Sequence, residues 1–193
     1  MSSRDLEFIE LRRTIAVRGT ARLVLGPATL ALWAVVAMQA RYGDQRVQIL
    51  LPLLTLAGGF EAVRALHVGV ERIGRYLQVF HETPAGPDSA TWETAAMEPA
   101  AAAPGLRLDP LFGALFLLAC AANASLSWDT IAPTLTGLWV LAHSGFALRI
   151  AVSVRACRRQ RAQDLAHYRT VRHSLSSRLS SRASTEGRST PAN

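Results

Sequence analysis

The sequence predicts an all-α integral membrane protein: four transmembrane helices, the second extended into the cytoplasm, an amphipathic N-terminal helix and a disordered C-terminal tail. Three observations lead there. Half of the 193 residues are hydrophobic, and they are gathered into four long runs rather than spread along the chain. Arginine is shared unequally among the segments that join those runs. A helical pattern also continues from the second run well past the roughly 20 residues that a bilayer core requires.

The runs fall at about 22–39, 47–66, 110–127 and 131–152, and together they predict a four-span bundle over 22–152. Ahead of the first, "RDLEFIELRRTIAVRG" sets Phe8, Leu11 and Ile15 on one helical face, with Arg4, Glu7, Glu10 and Arg13 largely elsewhere. Residues 1–21 therefore read as a cytoplasmic amphipathic helix. About 20 residues precede the first run and no clear A-x-A site follows it, so it reads as a retained span rather than a signal peptide. Gly26-Pro27 is expected to loosen that span.

All 21 basic residues are arginine and alanine is abundant, a usage that points to a GC-rich bacterial genome and hence to the inner membrane. Positive charge in short loops sets orientation. The segment up to Arg22 holds five arginines, the link 67–109 three and the tail from 153 nine, against two, Arg41 and Arg46, on the other side. Seventeen against two predicts both termini in the cytoplasm, with Tyr42 and Trp128 at the outer boundary. Cys120 and Cys157 sit mid-span and at a span end, a placement that favours no disulfide.

In "GGFEAVRALHVGVERIGRYLQVFHE", Gly58 to Glu82, Arg64, His67, Glu71, Arg75, Gln78 and Glu82 share one arc of a helix. Val63, Leu66, Val70, Ile73, Leu77 and Phe80 lie opposite. A helix over 47–82 would be about 54 Å long, so residues 67–82 must project into the cytoplasm, where their charges are expected to be solvated. The stripe Val70, Ile73, Leu77 and Phe80 then forms a seam needing cover from the N-terminal helix, from the basic continuation of the fourth span or from a second copy. The Pro-, Gly- and Ala-rich link 83–109 reads as a flexible loop. The tail 153–193 begins as a basic helix and is expected to lose order from about residue 175.

Ionisable groups inside the membrane are costly to bury, which makes Glu61, His143 and Arg149 the candidate site. Counting from the outer ends of their spans puts Glu61 and His143 at similar depth, so His143 or Arg149 is the expected partner of the glutamate. One membrane glutamate in a four-span chain resembles, in organisation, the small multidrug transporters. Those place the acid in the first span and lack long tails, so none of their residues is carried over. His67 and His81, 14 residues apart, match a haem-ligand spacing, but the fourth span carries no second histidine to match His143.

No catalytic, metal or phosphate-loop motif is present, and no cofactor is expected. Arg155, Arg158, Arg159 and Arg161 follow the fourth span where anionic lipid headgroups lie, and the absence of interleaved aromatics favours lipid over nucleic acid. The leading expectation is a non-enzymatic multi-pass inner-membrane protein with an assembly, scaffolding or regulatory role. Its partners would be the lipid bilayer, with a homo-oligomer or another membrane protein as a further candidate. The alternative is a small proton- or cation-coupled transporter or channel subunit using Glu61, and a membrane haem protein comes third.

Overall fold

The computed structural model describes residues 3–43, 50–81 and 110–186, and the expected flexible loop 83–109 lies outside them. The described residues form four α-helices: α1 (Ser3–Tyr42), α2 (Leu51–Phe80), α3 (Pro110–Ser127) and α4 (Thr136–Glu186). Two short 3-10 turns, Trp128–Thr130 and Pro133–Leu135, separate α3 from α4. Pro133 lies at the start of the second turn, and the fourth helix proper begins at Thr136 rather than at the expected 131.

α1, α2 and α4 are long and apolar enough to cross a membrane, and the apolar part of α3 is shorter, Gly113–Ser127. Their outward faces carry large apolar side chains in numbers unsuited to water: Leu23, Val24, Leu32 and Val35 on α1, Leu54 on α2, Leu118 on α3, Leu141 and Leu148 on α4. On α4 these end at Val152, the boundary predicted from hydropathy, and the next exposed large apolar residue is Leu175.

Contacts along the chain fix the directions of the helices. Thr29 meets Gly59, Arg22 meets His67 and Glu7 meets Tyr76, so α1 runs antiparallel to α2 over its whole length. α3 and α4 are likewise antiparallel, with Gly113 near Val154 and Ser127 bonded to Trp139. α2 and α4 run parallel, Phe60 beside Phe146 and Val79 beside Arg172.

Phe60, fully buried, is the centre of the membrane core, with Phe116 and Phe146 edge-on at 5.5 and 5.9 Å. Leu53, Leu56, Val63, Ala119, Cys120 and Ile150 complete the cluster. Between helices in lipid there is little hydrophobic driving force, so close approach has to supply attraction through dispersion. Gly59 does this: a Cβ there would overlap the Thr29 side chain. Thr29 turns its own hydroxyl to the Leu25 carbonyl, which keeps a polar group satisfied at the contact.

The N-terminal segment is a direct continuation of the first span, with Pro27 inside an uninterrupted helix, rather than a separate helix over 1–21. Its inward face includes Phe8, Leu11 and Ile15, as the periodicity predicts. At the other end, α4 reaches Glu186, beyond the point near 175 where composition predicts loss of order. Ser174, Ser176, Ser177 and Ser181 each bond a carbonyl three residues back, local contacts that a reading of apolar content does not register.

Candidate functional site

Glu61 lies on α2 one residue past the buried Phe60, on a half-exposed face. Arg64 Nε donates to its Oε2 at 2.8 Å and Arg149 Nε to its Oε1 at 2.7 Å. One carboxylate thus accepts from two guanidinium groups, each oxygen having its own donor, and ties α2 to α4. The side chains remain 40% exposed at Glu61, 30% at Arg64 and 47% at Arg149, so the triad lies on the bundle's flank and lines no closed channel.

His143 does not join Glu61. Residues 143 and 149 differ by six positions, which puts them about 120° apart around a helix, so one carboxylate cannot face both. The parallel register of α2 and α4 also sets residue 61 opposite 149, about one turn beyond the level that counting from the span ends gave.

His143 instead closes a polar relay towards the end of the bundle that carries the α3–α4 turns. Trp33 Nε1, a donor only, gives its hydrogen to Asn123 Oδ1 at 3.1 Å, which turns the Asn123 amide nitrogen to His143 Nε2 at 3.0 Å. Nε2 must therefore accept, and Nδ1 carries the proton towards the Trp139 carbonyl, 3.0 Å away. Trp139 in turn donates to Ser127 Oγ at 2.9 Å. Asn123 is 2% exposed, and this chain satisfies its amide while joining α1, α3 and α4.

A second buried polar group holds the three long helices together further from the α3–α4 turns. Arg22 Nη1 donates to His67 Nδ1 at 2.6 Å, and His67 Nε2 lies 3.6 Å from Glu71. Arg75, 4% exposed, donates to Glu71 on its own helix and to Asp164 on α4. Expected to be solvated, His67 and Arg75 are buried, because α1 and α4 close over α2 from two sides. The seam residue Leu77 is fully buried, and Val70, Ile73 and Phe80 are partly covered. Tyr168 of α4 packs on Phe80 of that stripe and on the neighbouring Tyr76, and Phe8 of α1 packs on His81 beside it.

Arg155, Arg159 and Arg161 follow the exposed Val152 of α4, with Arg158 on the same helix. Both cysteines are free and buried. Among the described residues no group of three His, Cys, Asp or Glu side chains could hold a metal ion. His67 and His81, the haem-spaced pair, are engaged with Arg22 and with the Phe8 and Tyr76 rings. Sequence reasoning missed the Trp33–Asn123–His143 relay and the Asp164 partner of Arg75, whose members lie on different helices, 20 to 90 residues apart from one bonded partner to the next, and share no local pattern. No protein-family model, curated protein or solved structure matches the chain.

Proposed function

We propose that this chain is a non-enzymatic inner-membrane protein with four spans and cytoplasmic termini, whose three long helices continue into the cytoplasm as a locked stalk serving assembly or regulation. The observation that carries it is Arg75, buried between Glu71 and Asp164, which fastens α2 to α4 beyond the span ends predicted from hydropathy. A buried three-group ionic contact fixes the relative placement of helices more sharply than apolar packing does, as a rigid display element requires. The four-span count draws support from α3, which runs antiparallel to α4 from the level of Val154 to that of Trp139. Cytoplasmic termini draw support from the arginine asymmetry. Glu61 fits structural use, since both its oxygens are occupied by arginine donors.

Reporter fusions at Asn193, near Pro99 and in the "YGD" loop are expected to read inside, inside and outside. Crosslinking of the full chain in native membranes, followed by mass spectrometry, tests the stalk. Crosslinks to cytosolic or membrane proteins should concentrate on 3–22, 67–80 and 157–175. An outside signal at Asn193, or crosslinks confined to the membrane half, would defeat the proposal.

A further inference from the structure

Beyond the membrane half, one side of α4 borders an open groove of about 620 Å³, its lining among the described residues including Val152, Arg155, Arg159, Gln160, Gln163 and Asp164. We propose that this groove is a discrete binding site for the phosphate of an anionic lipid headgroup, rather than part of a diffuse basic surface. The proposal rests on the reading above only for the side of the membrane on which the groove lies.

Depth comes first. Arg155 is 19 residues past Thr136, the start of α4, or about 28 Å along the helix, close to one hydrocarbon thickness. α1 gives an independent ruler. Arg41, 3.3 Å from the Leu126 carbonyl and 4.0 Å from Asp129, marks the outer end, and Arg22 lies the same 19 residues away at the inner end. Both helices therefore bring the start of the groove to the level of inner-leaflet phosphates.

The lining is graded along the helix as a lipid is graded along its length. Val152, the last exposed large apolar residue before the arginines, lies at the bilayer end, where acyl chains begin. Arg155 and Arg159, at i and i+4, stack on one face about 6 Å apart, a spacing that lets two guanidinium forks converge on one phosphate. Gln160 and Gln163 add amide donors on the cytoplasmic side, where a headgroup's hydroxyls would reach.

Charge selects for an anion. Asp164, the one acid lining the groove among the described residues, is already held by Arg75. Among the described residues no carboxylate reaches the guanidinium of Arg155 or Arg159, both exposed, whereas Arg172 further along donates to the Val79 carbonyl at 2.9 Å. The two groove arginines repel one another when empty, and a bound phosphate turns that repulsion into attraction. Among the described residues no aromatic lines the groove, so they offer no stacking surface to a nucleic-acid base.

Native mass spectrometry of the full chain released from detergent, with phosphatidylglycerol or phosphatidylcholine added at equal concentration, tests this. Wild-type protein should retain a single phosphatidylglycerol in preference to phosphatidylcholine. R155Q/R159Q should weaken that retention roughly ten-fold, the loss of two charge-assisted contacts. R169Q/R178Q removes the same charge from the same helix outside the groove and should leave retention unchanged, with circular dichroism verifying that both variants keep their helix. Equal loss in the two double variants would mean diffuse attraction and overturn the site. Equal retention of the two lipids would overturn selection for an anionic headgroup, and displacement of phosphatidylglycerol by millimolar inorganic phosphate would overturn lipid as the ligand. These readouts are independent of reporter orientation and of protein crosslinks, so failure of the stalk proposal and failure of the lipid site are separable.

Discussion

The same three helices are held together by different means in their two halves. Within the span region the packing centres on an apolar cluster, Phe60 between Phe116 and Phe146 with Gly59 admitting Thr29, and the Trp33–Asn123–His143 relay and the Glu61–Arg149 contact lie around it. In the other half, beyond the apolar spans, charges and rings do the work, with Arg75 between Glu71 and Asp164, Arg22 against His67, and Tyr76 among Phe80, Tyr168 and Glu7. Lipid and a leucine face are equally apolar, so a helix pair in the bilayer gains mainly from fit. In water an apolar stripe would bind many surfaces, and a buried ionic contact selects one, because any other placement leaves a charge without a partner.

Arg75→Met gives the largest expected effect. It leaves Glu71 and Asp164 facing each other without their cation, a change of about 3–5 kcal/mol for a fully buried pair, and nearer the lower figure here because both acids retain some exposure. Hydrogen exchange should quicken across 67–80 and 157–175 while 51–66 stays protected. Equal loosening of both halves would make them one cooperative unit and end the contrast drawn here.

Phe60→Ala tests the other half. It opens a cavity at the meeting point of α2, α3 and α4, at a cost of roughly 2 kcal/mol from lost packing, since lipid offers no transfer from water to lose. Its exchange pattern should be the reverse, with the span region loosened and the stalk retained.

The smallest effect is expected at Glu61→Gln. The amide keeps a hydrogen bond to Arg149 or Arg64 but gives up the charge, on a flank that is part exposed, so stability should change by less than about 1 kcal/mol. Reconstituted vesicles carrying wild type or variant should show the same proton permeability. A proton flux present in wild type and abolished by Glu61→Gln would replace the structural reading with a transport one.

How much of this was legible in the sequence differs between elements. That Phe8, Leu11 and Ile15 share a face, and that Glu71 and Arg75 share an arc, is legible because both patterns lie within one helix. Depth counting brought Glu61 near Arg149 but also near His143, since depth along an axis says nothing of direction around it. The solvated arc assigned to His67 and Arg75 failed for a related reason: polarity suggests water, yet α1 and α4 bring polar partners that satisfy those side chains out of water.

The sequence by itself determined that the chain is rich in helix with membrane-length apolar runs, of which those in α1, α2 and α4 form helices long and apolar enough to cross a membrane, and the arginine asymmetry that bears on orientation. Those properties are sums over neighbouring residues and need no knowledge of a partner helix. Only the tertiary structure decided that Glu61 meets Arg149, that His143 answers to Asn123 and Trp33, and that Arg75 is buried against Asp164. Each of those meetings depends on the rotation and register of one helix against another. Close contacts such as Thr29 on Gly59 help to set these, and local periodicity leaves them open.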